Sequence, residues 1–264
     1  MLEPLPTLRP PLPREETLAR ELPAGIALTC LAEGWRDFRR NAPASLAYGL
    51  ALFVISVGVI WLLEHFGLLY LLLPAISGFM IVGPFLAIGL YAKSRALAAG
   101  HDETLGEMRH TRAAAGAQLA YAGLLLCLLL LFWLRAADLL YALFFGLQPF
   151  PGAQEALVNT FTTPRGWFLL LTGGFVGALF AGFAFSISLY AVPMLAFERR
   201  DALTAFGLSF ALVMRNLGPS LAWGIIVTAG IAISIATGLL GLIVIFPVLG
   251  HGTWHLYSRI HRQA

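Results

Sequence analysis

The stretch NLGPSLAWGIIVTAGIAISIATGLLGLIVIFPVLGHGTWHLYS, residues 216–258, contains no Asp, Glu, Lys or Arg. Read as one helix it would extend about 65 Å at 1.5 Å per residue. A bilayer's hydrocarbon core is only about 30 Å thick, so the stretch must turn once and cross twice. Thr237-Gly238 and Gly241 suit the turn. The reading is a pair of spans, 217–237 and 240–258.

Working back along the chain, four more uncharged runs reach spanning length, at 166–197, 113–134, 67–92 and 42–63. The run at 166–197 is long enough to tilt or project from the bilayer. The expected fold is therefore all-α: a polytopic membrane protein built as a six-transmembrane-helix bundle. It forms a single membrane domain over 24–264, preceded by a Pro-rich tail, 1–23. Bulk composition agrees. Of 264 residues, 59% are hydrophobic and 12% charged, and mean hydropathy is +0.80. A soluble domain carries about 25% charged residues. These values exclude an ordinary soluble domain, a disordered chain and a coiled coil. Two cysteines, Cys30 and Cys127, cannot build a disulfide scaffold.

Basic residues set the orientation. Arg9, Arg14, Arg20, Arg36, Arg39 and Arg40 precede the first span. Lys93, Arg95, Arg109 and Arg112 follow the second, Arg199, Arg200 and Arg215 follow the fourth, and Arg259 and Arg262 follow the sixth. Only Arg135 and Arg165 fall opposite, so fifteen of the seventeen lie on one face. Both termini are expected in the cytoplasm, with the protein in a bacterial inner membrane. The first 43 residues show no secretory h-region or cleavage pattern, so the N-terminus is expected to be retained.

Two segments are neither spans nor plain loops. Ile26, Cys30, Leu31, Gly34, Trp35 and Phe38 recur at helical spacing, with Glu33, Arg36, Asp37 and Arg40 between them. This pattern predicts an amphipathic helix on the inner membrane surface. Leu203, Phe206, Leu208, Phe210 and Leu212 predict a second. On the outer side, LLYALFFG (139–146) either extends the third span or bends along the interface, and Pro149, Pro151 and Gly152 break it.

RNAPASLAYG (40–49) aligns without a gap on RNLGPSLAWG (215–224). A weaker echo, Leu119-Ala120-Tyr121, begins the third span. The return spans also end alike, at Leu90-Tyr91-Ala92, Leu189-Tyr190-Ala191 and Leu256-Tyr257-Ser258. The simplest reading is three tandem hairpins in one orientation. Most Tyr and Trp residues at the span ends read as interfacial anchors. Pro84, Pro193 and Pro247, one in each return span, predict kinks.

His251 and His255 in GHGTWH (250–255) share one helix face. Two imidazoles so placed are interfacial side chains, or flank a proton path, or share a metal or haem. A zinc site needs three or four ligands, and no partner pair is evident, so no cofactor is predicted. Arg135 and Asp138, at i and i+3, are the other polar candidates, and they read as a pair marking the outer water boundary. Glu64 beside His65 has the same status. No P-loop pattern, no HExxH and no acidic pair within a span is present. No catalytic residue is therefore predicted, and the protein is not expected to be an enzyme. The basic residues follow membrane topology, which argues against nucleic acid as a partner and for the lipid bilayer.

GFMIVGPFLAIGLYAKSRALAAG (78–100), LFWLRAADLLYALFFG (131–146), VPMLAFERRDALTAF (192–206) and FPVLGHGTWHLYSRI (246–260) resemble a proteobacterial integral membrane family of unknown function. The resemblance runs from about residue 28 to 260, and 246–260 is its most specific part. Some members carry a cytochrome c oxidase subunit label. That label implies respiratory-complex subunits as partners, while the family supplies no site residues. An oxidase core needs several intramembrane histidines, and two on one helix do not suffice. The leading expectation is a non-enzymatic accessory, assembly or scaffold factor near respiratory oxidases. The alternative is a small permease or channel with a polar path near the last helix. A carrier should show a polar cavity near mid-membrane, and a scaffold a tight core with an apolar outer groove.

Overall fold

The computed structural model describes residues 18, 22–40, 42–67, 72–101, 104–109, 113–146 and 153–261. Among these every regular element is a helix. They are α1 (Ile26–Arg40), α2 (Ala42–His65), α3 (Leu72–Leu86), α4 (Ile88–Ala98), α5 (Leu105–Arg109), α6 (Gly116–Phe145), α7 (Ala153–Thr162), α8 (Pro164–Ser188), α9 (Ala191–Phe197), α10 (Ala202–Arg215), α11 (Leu217–Ala236) and α12 (Leu242–His261). The Pro-rich tail up to residue 17, together with Pro149, Pro151 and Gly152, lies outside the described residues.

Five helical stretches are long and apolar enough to cross a membrane: Ala42–His65, Gly78–Ala98, Gly116–Phe145, Pro164–Phe197 and Leu217–Ala236. The sixth expected span is α12. It has the length, but His251, His255 and Arg259 make its second half polar. The turn between α11 and α12 falls where the uncharged run required it, with Gly238 and Leu239 both at positive φ. LLYALFFG extends the third span: α6 runs unbroken to Phe145, and Gly146 (φ +78°) ends it.

Two expected continuous spans are broken. The second divides at Ala87 into α3 and α4, three residues beyond Pro84, and α4 continues to Ala98. The fourth divides at Leu189-Tyr190 into α8 and α9. A break in a membrane helix frees backbone groups that other helices must satisfy. Here Tyr48 of α2 donates its hydroxyl to the carbonyl of Leu86. Ser209 of α10 accepts from the Tyr190 amide at 3.1 Å and donates to the carbonyl of Ser186 at 2.8 Å. Pro247 produces no such break, and α12 is continuous through it.

Packing is uneven along the bundle. α2 lies against α12, α3 against α6, α6 against α8, and α11 against α12. Buried residues concentrate at one end of the bundle, where α1 and α4 meet the second half of α12 and α9 packs on α10. Away from that end the long helices present Val54, Trp61, Phe132, Leu171 and Phe175 outward, as a lipid-facing surface does. The tyrosines and tryptophan read as anchors are core residues instead: Tyr91, Tyr190, Tyr257 and Trp223 are buried. Each packs against helices that the sequence does not place beside it.

The tightest joint is between α1 and α12. A Cβ on Gly34 would lie 2.5 Å from the Val248 carbonyl oxygen and 2.6 Å from the Gly252 nitrogen. Small residues let two helix backbones approach this closely, and Ala27, Cys30 and Gly34 form the buried stripe of α1. The helix expected on the membrane surface therefore packs on the last span, and its Leu28 and Trp35 remain exposed. Gly34→Ala should lower stability by roughly 1–3 kcal/mol through overpacking. Gly173→Ala, where a Cβ meets nothing within 4 Å, should be neutral or stabilising. Thermal melting of the detergent-solubilised variants checks both.

Candidate functional site

Close packing of α1 on α12 aligns the acids of one helix with the bases of the other. Glu33 and Asp37 repeat at i and i+4 on α1, while His251, His255 and Arg259 repeat at the same spacing on α12. The helices run antiparallel at this joint. Arg259 grips Glu33 with two bonds of 2.6 Å and also donates to the Cys30 sulfur at 3.1 Å. His255 Nε2 lies 2.7 Å from Asp37 Oδ2, and its Nδ1 lies 3.4 Å from Glu33 Oε2.

From Asp37 the chain of contacts turns into the bundle. Ser94 of α4 donates to Asp37 Oδ2 at 2.8 Å. The same Ser94 oxygen is 2.8 Å from His251 Nδ1. His251 Nε2 is 3.1 Å from Ser45 Oγ of α2, and Lys93 Nζ donates to that oxygen at 3.1 Å. Ser45, Lys93, Ser94 and His251 are each 0% exposed.

The polarity of this chain follows from hydrogen counting. A serine hydroxyl has one proton to give. Ser94 gives it to Asp37, so His251 must donate through Nδ1. In the neutral ring Nε2 is then the acceptor, and Ser45 supplies its proton there. These four side-chain bonds point the same way, from Lys93 through Ser45, His251 and Ser94 to Asp37, and the Leu90 backbone also bonds to the His251 ring. A row of donors so ordered is the geometry through which a proton can pass by successive hops.

The sequence-derived candidates separate. His251 and His255 do join one arrangement, but they are linked through Ser94 and Asp37. All four of their ring nitrogens face side-chain oxygens. Among the described residues no three His, Cys, Asp or Glu side chains converge as a metal site requires. Arg135 and Asp138 pair at 3.1 Å with side chains 76% and 65% exposed, far from this chain in α6. Such exposed pairs contribute at most about 1 kcal/mol. His65 stacks on Trp61.

Lys93, Ser45, Ser94 and Asp37 escaped the sequence reading. Lys93 stands among Arg95, Arg109 and Arg112 and reads as a topology charge, yet it is wholly buried. Asp37 could have been found, because it continues the stripe Ala27, Cys30, Gly34 at helical spacing. A second cluster lies nearby. Glu198 accepts from Arg200 at 2.6 Å and from the Tyr257 hydroxyl at 2.8 Å, with His261 Nε2 2.6 Å away. Arg95 lies over the Phe197 ring.

Above the chain lies a cavity of about 380 Å³ between α3, α6, α8, α11 and α12. Tyr91 and Gly250, neighbours in sequence of Lys93 and His251, line it. Its wall is apolar, unlike the polar mid-membrane cavity expected of a carrier for polar solutes. A smaller apolar groove of about 250 Å³ separates α2 from α3 and α11.

Electrostatics hold the α1–α12 joint. The Arg259 guanidinium keeps the Glu33 carboxyl below its ordinary range, outweighing burial. Burial pushes the Asp37 carboxyl up, but the bonds from His255 and Ser94 outweigh it and leave Asp37 depressed as well. A depressed carboxylate stabilises the fold fully above its unfolded pKa, and that stability is lost as pH falls through the folded value. The melting temperature should therefore hold from neutral pH down to about pH 4 and fall below it. Glu33→Gln combined with Asp37→Asn should flatten that acid limb. At neutral pH, Asp37→Ala should cost about 3–5 kcal/mol by leaving buried partners unpaired.

Residues 71–196 match the family described as predicted integral membrane protein (DUF2189). The resemblance to an integral membrane family of unknown function thus holds over that segment, which is narrower than 28–260. The match lends nothing to the oxidase label. No curated protein and no solved structure matches the chain.

Proposed function

We propose that this integral membrane chain, similar over residues 71–196 to a family of unknown function, is a small non-enzymatic permease or channel whose polar path carries protons. The observation that supports it is the unidirectional chain from buried Lys93 to Asp37. An ammonium and an imidazole held at zero exposure in a membrane protein are costly, and such groups mark ion and proton pathways. At one end the path reaches buried Asp37 and, beyond it, His255, Glu33 and Arg259, which are partly exposed. Its other described member is Lys93, two residues from Tyr91 in the wall of the apolar cavity. That apolar wall offers no route to polar solutes.

The arginine distribution supports a bacterial inner membrane with both termini cytoplasmic, so the Glu33–Arg259 end would face the cytoplasm. A second reading is the accessory or scaffold factor, with respiratory oxidase subunits as partners. In its favour, α8 turns Trp167, Phe168, Leu171, Phe175 and Leu179 outward as an apolar face. Lipid covers that face as readily as a partner does, so the reading is the weaker one.

Reconstituted vesicles loaded with a pH-sensitive dye test the proton path. Under an imposed pH gradient the wild-type protein should dissipate the gradient faster than protein-free vesicles. Lys93→Met and His251→Phe should return the rate to the protein-free level while keeping a monodisperse, helical protein. Equal rates for wild type and Lys93→Met would remove the reading.

A further inference from the structure

The cavity between α3, α6, α8, α11 and α12 has a wall built from Phe79, Trp133, Phe180, Phe246 and their aliphatic neighbours. Among the described residues, no Asp, Glu, Lys, Arg or His lines it. Its polar groups are few. Thr253 is engaged, donating to the Leu249 carbonyl at 2.8 Å and accepting from Trp223 Nε1 at 3.2 Å. Tyr91 and Ser188 are different. They are 2% and 8% exposed, and neither hydroxyl makes a hydrogen bond among the described residues.

A buried hydroxyl left without a partner forfeits the hydrogen bonds it made to water. Native interiors rarely leave one, and an unfilled partner position marks a missing ligand or water. Two such hydroxyls in the wall of a single apolar cavity mark a place where a bound molecule supplies the partners. We propose that the cavity binds a neutral, lipid-soluble molecule carrying a hydroxyl or carbonyl head. The head bonds to Tyr91 and Ser188, and the hydrocarbon body lies against the aromatic wall. A charged headgroup does not fit, because the wall offers no counter-charge and burying an unpaired ion is prohibitive. The volume suits a small ligand, near the lower end of the usual range of about 300–1,000 Å³. This site uses different side chains from the proton path, and it stands or falls separately.

The test uses the full chain in nanodiscs and a diazirine-bearing hexadecanol as probe. Light should crosslink it to the segments holding Phe79, Trp133 and Phe180. Unlabelled hexadecanol should compete, and the hexadecanoate anion should not. Tyr91→Phe together with Ser188→Ala should weaken binding roughly tenfold or more, the loss of two hydrogen bonds. Ala181→Phe, which fills the cavity, should abolish the specific label. Without alcohol, Tyr91→Phe should melt higher than wild type, since an unpaired hydroxyl has been removed. With saturating alcohol the order should reverse. Labelling confined to outward residues such as Leu171 and Phe175 would overturn the proposal. So would labelling unchanged in the double variant, or competition by the anion as strong as by the alcohol.

Discussion

The joint between α1 and α12 fixes much of what surrounds it. At Gly34 and Gly252 two helix backbones come as close as backbones can, because neither carries a side chain there. That approach brings carboxylates on one helix within bonding reach of bases on the other. Once Asp37 is held against His255, its second role becomes available: it accepts from Ser94 and so anchors a row of bonds leading into the bundle. A wider joint would leave Asp37 in water and Lys93 without the chain that links it to a carboxylate.

The same logic appears at the helix breaks. Lipid offers no hydrogen bonds, so a membrane helix can be interrupted only where another side chain replaces the lost partner. Tyr48 does this at Leu86, and Ser209 does it at Tyr190. Both donors and acceptors come from helices that begin at the densely packed end. The breaks, the buried tyrosines and the polar chain therefore belong to one construction, a polar and well-packed base beneath an apolar, more open set of spans. Ser45 and Ser220, which pair when residues 40–49 are aligned on 215–224, both sit in that base. Each is bonded to a side chain of a return segment, Lys93 in one case and Tyr190 in the other.

The five long apolar spans, the final turn and the shared helix face of His251 and His255 are legible in the sequence because each rests on local periodicity. A run of uncharged residues must cross, and an i, i+4 pair must share a face. The rest depends on contacts between distant segments. Ser45 and His251 are separated by 206 positions, and no local pattern ties them. Lys93 misleads for a physical reason: a lysine immediately after an apolar run looks the same whether it snorkels to the interface or turns inward. Ser45 on α2, which accepts from it, lies outside the segment. The tyrosines at the span ends misled in the same way, since an amphipathic ring suits an interface as well as a core with one polar partner.

The single polarity of the buried chain has a kinetic consequence. Were a proton to hop along it, each hydroxyl and the imidazole would point the opposite way, and the row could not pass a second proton in the same sense. It works again only after Ser45 and Ser94 have rotated and His251 has exchanged its tautomer. Those rotations take place in a packed interior, where Leu90 lies against the backbone at Gly250. The resetting of the row, and not the hop, would then be the slow part of each cycle. A residue that only loosens the packing beside His251 would govern throughput without ever touching the proton.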